Sequence, residues 1–412
     1  MTLDLKQRTN ILRAIKKLVV AHHINAAGID YGAWTERLDG RTAELLANDV
    51  AGFEAGVRKL LTELKTSHTL FYHSLPTELL PQHTINASLR DVSQDGRHRW
   101  MFLDVFEDGP AYVAGIRPGD FLDALDGTPY LPPTTPYFAI GHTHKLLVSK
   151  HGAGSARETV IEVPMRKGTR QRPPIVEPKS PIYSTIGQGI GLLKITYFPG
   201  AMGMTFAAAL DRAVNDLKSQ NCDRLIVDLR GNIGGSLGFA RLASYLCPGQ
   251  IAIGHSLTPK RLRNGYDSAA LPREPMPRNR PELFVTLARY AVRDKSLMLL
   301  TQGLGPQPFH NRIVLLVNEW TNSAAEMVAN FASENHLATL VGQKTRGNVL
   351  GATNFKLPGS YWLRLPTFGW FTSKGHSLEG NGVDPDVTVS PDSLALGRDD
   401  QMTKAGQIVS EL

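Results

Sequence analysis

Residues 312–326, Arg-Ile-Val-Leu-Leu-Val-Asn-Glu-Trp-Thr-Asn-Ser-Ala-Ala-Glu, restrict the fold more than any other stretch of this chain. The branched apolar run Ile313–Val317 shows no polar alternation, so a strand there must be covered on both faces. Strands of that kind belong to parallel sheets with helices packed above and below. A polar turn, Asn318–Asn322, follows. Ser323 then opens a predicted helix, Ala324–Glu334, with Met327, Val328 and Phe331 on one face. A serine at this junction has two readings. One is an N-cap, with Glu326 at capping-box spacing. The other is a nucleophile at the end of a parallel sheet, beside free N–H groups and the positive end of a helix dipole. The stretch alone does not choose between them.

The strand-then-helix pattern recurs upstream. Ile190–Tyr197 reads as a strand, Thr205–Ser219 as an amphipathic helix and Arg224–Leu229 as a second buried strand. A turn, Arg230-Gly-Asn-Ile-Gly-Gly-Ser236, leads into a helix over Leu237–Leu246, and Ala338–Gly342 is a further strand. This alternation argues a parallel α/β core over residues 190–395. The adjacent glycines Gly234 and Gly235 permit positive φ and let backbone N–H groups converge on one spot. A phosphate loop is a poor alternative, because the Walker lysine and the dinucleotide glycine spacing are both missing. Residues 256–310, rich in Pro, Arg and Gly, are expected to form an inserted excursion near the site and a candidate lid. Residues 396–412 carry no strong pattern and are expected as a tail.

At 412 residues the chain exceeds one ordinary core, and the upstream half supplies the other units. Residues 1–84 read as helical: Ile11, Ala14, Ile15 and Leu18 recur at helical spacing, as do Phe53, Val57, Leu60, Leu61 and Leu64. Thr66-Ser67-His68-Thr69 follows the second of these helices. Residues 85–172 hold short alternating strands and turns, and 173–189 form a proline-bearing linker with Pro173, Pro174, Pro178 and Pro181. His142, His144 and His151 lack a further ligand at metal-site spacing and are expected in a surface loop; no metal and no cofactor is implied. A net charge of +7 is spread along the chain apart from Lys167, Arg170 and Arg172, so no nucleic-acid partner is expected. Cys222 and Cys247 form no framework and read as inert packing. No apolar run is long enough to span a membrane and no export signal is visible, which gives a soluble, cytoplasmic expectation.

Two resemblances sharpen this reading. Val105–Thr128, with its Gly-Pro turn, short helix closed by Gly115, Pro-Gly-Asp turn and Asp126-Gly127, resembles a PDZ domain. No Gly-Leu-Gly-Phe loop is present, and Arg99–Phe102 is the candidate for its carboxylate-binding role. The resemblance implies capture of an extended peptide on a sheet edge. Four further motifs then occur in order: Asp228-Leu-Arg-Gly-Asn-Ile-Gly-Gly235, Asn322-Ser-Ala-Ala-Glu326, Val341-Gly-Gln-Lys-Thr-Arg-Gly347 and Glu379-Gly-Asn-Gly-Val-Asp-Pro-Asp386. Together they resemble the tail-specific, or C-terminal processing, serine peptidases and their tricorn-like relatives.

The resemblance implies an α+β multidomain chain: a helical segment, a PDZ-like β module and a crotonase/ClpP-like α/β catalytic domain. It makes Ser323 the nucleophile, with the N–H of Ala324 and one of the Gly234–Gly235 pair, Gly234 first, as oxyanion donors. It implies a peptide or protein substrate. The processing peptidases carry a lysine base where this chain has Asn348, and an amide cannot take the serine proton. The tricorn-like branch instead uses a Ser-His pair and a downstream glutamate, which Ser67, His68 and Glu379 match. That implies a Ser323–His68–Ser67–Glu379 tetrad. The missing lysine leaves as alternatives Lys344 as base or a catalytically inactive peptide-binding protein on the same fold, and a further one is a PDZ scaffold whose α/β domain only assembles partners.

Overall fold

In the computed structural model the run Ile313–Val317 is a fully buried strand inside a mixed sheet. The sheet order is Ile182–Thr185, Ile190–Lys194, Arg224–Asp228, Ile313–Val317, Thr339–Gly342 and Val387–Thr388. The first pair is antiparallel and every other pair is parallel. Side-chain alternation divides its two faces. Leu225, Val227, Ile313, Leu315 and Val317 pack with residues of helices Met204–Ser219, Phe239–Leu246 and Ala324–Glu334. Ile226, Val314, Leu316 and Val341 instead meet Ala405 and Val409 of helix Asp400–Glu411. The structure describes all residues except 1–2, 26–27, 74–77, 95, 151–155, 166–174, 188, 293–294 and 311.

That last helix corrects the expectation of a patternless tail. Met402, Ala405, Ile408 and Val409 do fall on one helical face, but four small or isolated apolar residues give a weak periodic signal. The Arg230 guanidinium pins the start of the helix, donating to Asp399 at 2.9 Å and Gln401 at 3.2 Å.

A second sheet stands beside the first, in the order Leu70–His73, Tyr361–Thr372, Ala252–Leu257, Leu297–Leu300 and Arg273–Pro275, with Gly351–Lys356 also paired to Tyr361–Thr372. Residues 256–310 are therefore not a simple excursion. They supply two of these strands, and helices Pro259–Asn264 and Arg280–Val292 as well. Strand runs this short, set between prolines and arginines, leave no period to read.

Helices Leu5–His22, Tyr31–Ala47 and Val50–Thr62 are each capped by an aspartate, Asp4, Asp30 and Asp49, accepting first-turn N–H groups. The middle helix is not evident from apolar spacing, since it buries only Trp34, Leu38 and Leu45. Ile11, Ile15, Trp34, Phe53 and Val57 share one core with Tyr361, Leu363 and Leu365 of the second sheet. The helical unit thus leans on strand Tyr361–Thr372, and Leu70–His73, just after the third helix, pairs antiparallel with the start of that strand.

Residues 87–162 form an antiparallel β module in the order Ala87–Gln94, Arg97–Val105, Phe121–Leu125, Thr143–Ser149 and Arg157–Glu162. Arg99–Phe102 lie inside the second strand, with Met101 and Phe102 fully buried, so they form no binding loop. The chain enters edge strand Ala87–Gln94 from the short helix Pro81–Thr84. His144 is not in a surface loop: it lies in strand Thr143–Ser149, buried, with Nδ1 on Asp126 at 2.7 Å and Nε2 accepting the Ala139 N–H at 3.0 Å. His151, Lys167, Arg170, Arg172, Pro173 and Pro174 lie outside the described residues. Cys222 and Cys247 are buried free thiols. Among the described residues no helix is long and apolar enough to cross a membrane, and no cluster of His, Cys, Asp and Glu could hold a metal.

Candidate active site

Ser323 stands where strand Ile313–Val317 has ended and helix Ala324–Glu334 begins, as the parallel-sheet reading requires. Its backbone has φ 53° and ψ −116°. An N-cap residue sits in the extended region, so this geometry is not that of an ordinary cap. Such a conformation costs about 1–3 kcal/mol for a residue with a side chain and persists only where its surroundings hold it. Here Glu326 holds it. That buried carboxylate accepts the Ser323 N–H at 2.9 Å, the Thr345 hydroxyl at 2.7 Å, the Gly347 N–H at 2.5 Å and the Asn348 N–H at 2.9 Å. Burial raises the Glu326 pKa and these four donors oppose the rise.

Opposite Ser323 runs the glycine turn. Gly234 has φ +87°, and a Cβ placed on it would lie 2.7 Å from the Ser323 Cβ and 3.2 Å from its Oγ. Glycine is required here for close approach as well as for φ. The Gly234 N–H donates to Asn232 Oδ1 at 2.8 Å, so the donor expected first for the oxyanion is already engaged. The N–H groups of Gly235 and Ala324 have no partner among the described residues. The reason is local: Asn232 folds its side chain back two residues, an Asx-type turn that consumes the first glycine amide and leaves the second.

Ser67, His68 and Glu379 meet at the base of the second sheet. The pairing of Leu70–His73 with Tyr361–Thr372 sets Ser67-His68 at the sheet margin, and Glu379 arrives in the turn beyond the same long strand. Glu379 accepts the Ser67 backbone N–H at 2.6 Å and its hydroxyl at 3.0 Å. The Ser67 Oγ is also 2.7 Å from His68 Nδ1. An ionised carboxylate can only accept, so the Ser67 proton goes to Glu379 and its oxygen accepts the Nδ1–H of His68. That fixes the tautomer and leaves Nε2 with a lone pair. Burial, then the positive charge of Arg364 and the proximity of His83, pull the His68 pKa down to about 4, so the ring is neutral near pH 7.

Two successive backbone amides tie these halves together. Asn348 N–H donates to Glu326, behind the nucleophile, and Val349 N–H donates to Glu379 at 3.0 Å, behind the histidine. Among the described residues no hydrogen bond joins the Ser323 hydroxyl to His68, a contact that is often long before a substrate arrives. Asn348 turns its amide toward Asn322 Oδ1 at 3.4 Å. Lys344 is half-exposed and paired with Asp384 at 3.1 Å. Glu326 stands out in the sequence only for its capping-box spacing. Nothing there reveals its four-donor role, because three of the donors come from residues 345–348.

Residues 189–389, just under half of the chain, match peptidase family S41. Among curated relatives, the chain is similar to the chloroplastic carboxyl-terminal-processing peptidase 2 of Arabidopsis thaliana, at 25% identity over 293 residues, 68% of this chain and 47% of that one. Among solved structures, it superposes on a photosystem II D1 C-terminal processing protease with a TM-score of 0.57 at 17% identity, covering 96% of this chain and 95% of the other. It also superposes on the tricorn protease with a TM-score of 0.50 at 19% identity, covering 99% of this chain and 37% of tricorn. The chain spans about half the length of the curated relatives it matches.

Proposed function

We propose that this chain is a serine peptidase that cleaves peptide bonds through an acyl-enzyme on Ser323, with His68 as general base. The observation that carries the reading is the Ser67 hydroxyl, which bridges Glu379 and His68 Nδ1 and leaves Nε2 basic. The match of residues 189–389 to peptidase family S41 supports the class. The likeness to both solved proteases concerns the fold alone, so the choice of base rests on the side chains.

In this mechanism His68 Nε2 takes the Ser323 proton as Oγ attacks the scissile carbonyl. The developing oxyanion is held by the N–H groups of Ala324 and Gly235, with Gly234 allowing the close approach. The imidazolium returns its proton to the leaving amine, and water, activated by the same nitrogen, resolves the ester. Glu379 acts through Ser67, stabilising the charged ring without touching it. Lys344, exposed and paired with Asp384, takes no part in this mechanism. The substrate is a protein or peptide taken near its C-terminus on a crotonase-like core. The PDZ-like module, whose edge strand Ala87–Gln94 faces the nucleophile turn, docks the peptide.

Intact-mass analysis after treatment with a fluorophosphonate tests this. One adduct on Ser323, lost in Ser323→Ala and His68→Ala and kept in Lys344→Ala, is the expected result. No adduct on folded wild-type protein, or full labelling of His68→Ala with loss in Lys344→Ala, overturns it.

A further inference from the structure

The β module contributes one carboxylate that reaches out of its own sheet. Asp104, at the end of strand Arg97–Val105, is buried, and its carboxylate accepts from the Ser88 hydroxyl and from Asn318 Nδ2 at 3.0 and 3.1 Å. Asn318 is the first residue of the turn that ends in Ser323. A carboxylate accepts only, so Asp104 obliges Asn318 to present its NH2 group and turn Oδ1 the other way. Asn318 Oδ1 then accepts two backbone N–H groups, from Gly231 at 3.0 Å and Trp320 at 3.0 Å. Gly231 opens the glycine turn and Trp320 lies inside the nucleophile turn. One amide therefore clamps the roots of both loops, and the flip state of that amide is dictated from the β module.

Other contacts across the same boundary agree. The carbonyl of Gly231 accepts from Gln82 Nε2 at 3.2 Å. A Cβ on Gly231 would lie 2.8 Å from the Asp104 carboxyl carbon. Trp320 Nε1 donates to the Leu89 carbonyl at 3.0 Å, and Arg90 pairs with Glu319 at 2.6 Å.

We propose that Asp104 is a positioning residue for the peptidase site, acting through the orientation of the Asn318 amide to hold the glycine turn and the Ser323 turn in register. The proposal rests on the peptidase reading above.

The test reverses the polarity of the pair. Asn318→Asp sets two carboxylates face to face and removes the donor that Asp104 needs. Adding Asp104→Asn restores one donor and one acceptor in the opposite sense, and the carboxylate introduced by Asn318→Asp can still accept from Gly231 and Trp320. Misplacement of oxyanion donors or nucleophile by about 1 Å costs about 10²-fold in rate. The single variant is thus expected to lose about 10²-fold in kcat with little change in KM, and the double variant to recover at least about tenfold. Affinity for a peptide aldehyde should fall and recover with kcat, which a general loss of folded protein would not reproduce. Hydrogen exchange over residues 229–236 and 318–323 reads the same clamp without catalysis, and both segments should lose protection in Asn318→Asp and Asp104→Leu. Unchanged kcat and exchange in Asn318→Asp, or a folded double variant that recovers neither, overturns the proposal. A wild type that never labels on Ser323 sinks the peptidase reading instead, and the exchange measurement still decides the clamp.

Discussion

The close approach of Gly234 to Ser323 gives the strongest test of the site. Gly234→Ala would add a Cβ 2.7 Å from the Ser323 Cβ, where ordinary contact begins at 3.4 Å, so the two must separate by 3.4 − 2.7 = 0.7 Å. The left-handed φ of +87° adds a conformational cost of about 1–2 kcal/mol, felt as lost stability. Catalysis should suffer more. A displacement approaching 1 Å at the nucleophile costs about 10²-fold, so kcat/KM is expected to fall by about that factor. Gly397→Ala is the matched control, with φ +74° and open space around the added carbon. It should share the stability loss and keep its activity. Urea unfolding and active-site titration with a fluorophosphonate measure the two quantities separately. A Gly234→Ala protein that loses stability like the control, yet turns over within about threefold of wild type, would refute the geometric argument.

Three other expectations follow from the titrating groups and the buried carboxylate. Since the His68 pKa is pulled to about 4, the acid limb of kcat/KM should lie near 4 and not near 6.5, and Arg364→Gln should move it upward. The folded-state pKa of His23, His68 and His83 all lie near 4, below the unfolded value of about 6.5. Between those limits the unfolded chain binds more protons, so stability is full above about pH 6.5 and falls as pH drops toward 4; urea midpoints across that window check the sign. Glu326→Ala strands four donors at the back of the nucleophile and should cost about 3 kcal/mol or more, read as a shift in the unfolding midpoint. Midpoints unchanged by Glu326→Ala would show that water replaces the carboxylate.

Some of this is legible before any coordinates. Ile313–Val317 carries its burial in its composition, and Asn322–Glu326 its turn and cap in spacing, because both signals are local. The expected Ser67, His68 and Glu379 do lie together. Only a resemblance could pair them, since the contact joins residues 312 positions apart and depends on Leu70–His73 finding Tyr361–Thr372. The glycine donor differs from expectation for another reason: Asn232 takes the Gly234 amide through a side-chain turn that the Gly-Gly pair does not advertise. Asp104 carries no signal at all. Its significance lies in an amide on the far side of a sheet boundary.

The bridge from Ser67 to Glu379 also sets a schedule for the chain as it is made. A ribosome adds about 5–20 residues per second, so roughly 15 seconds to a minute separate the emergence of the two ends of that bridge. Ser323 emerges 56 residues before Glu379, about 3–11 seconds, and for that time the proposed base lacks the carboxylate that orders it. On the proposed mechanism, nucleophile and base become competent only once Glu379 has joined Ser67.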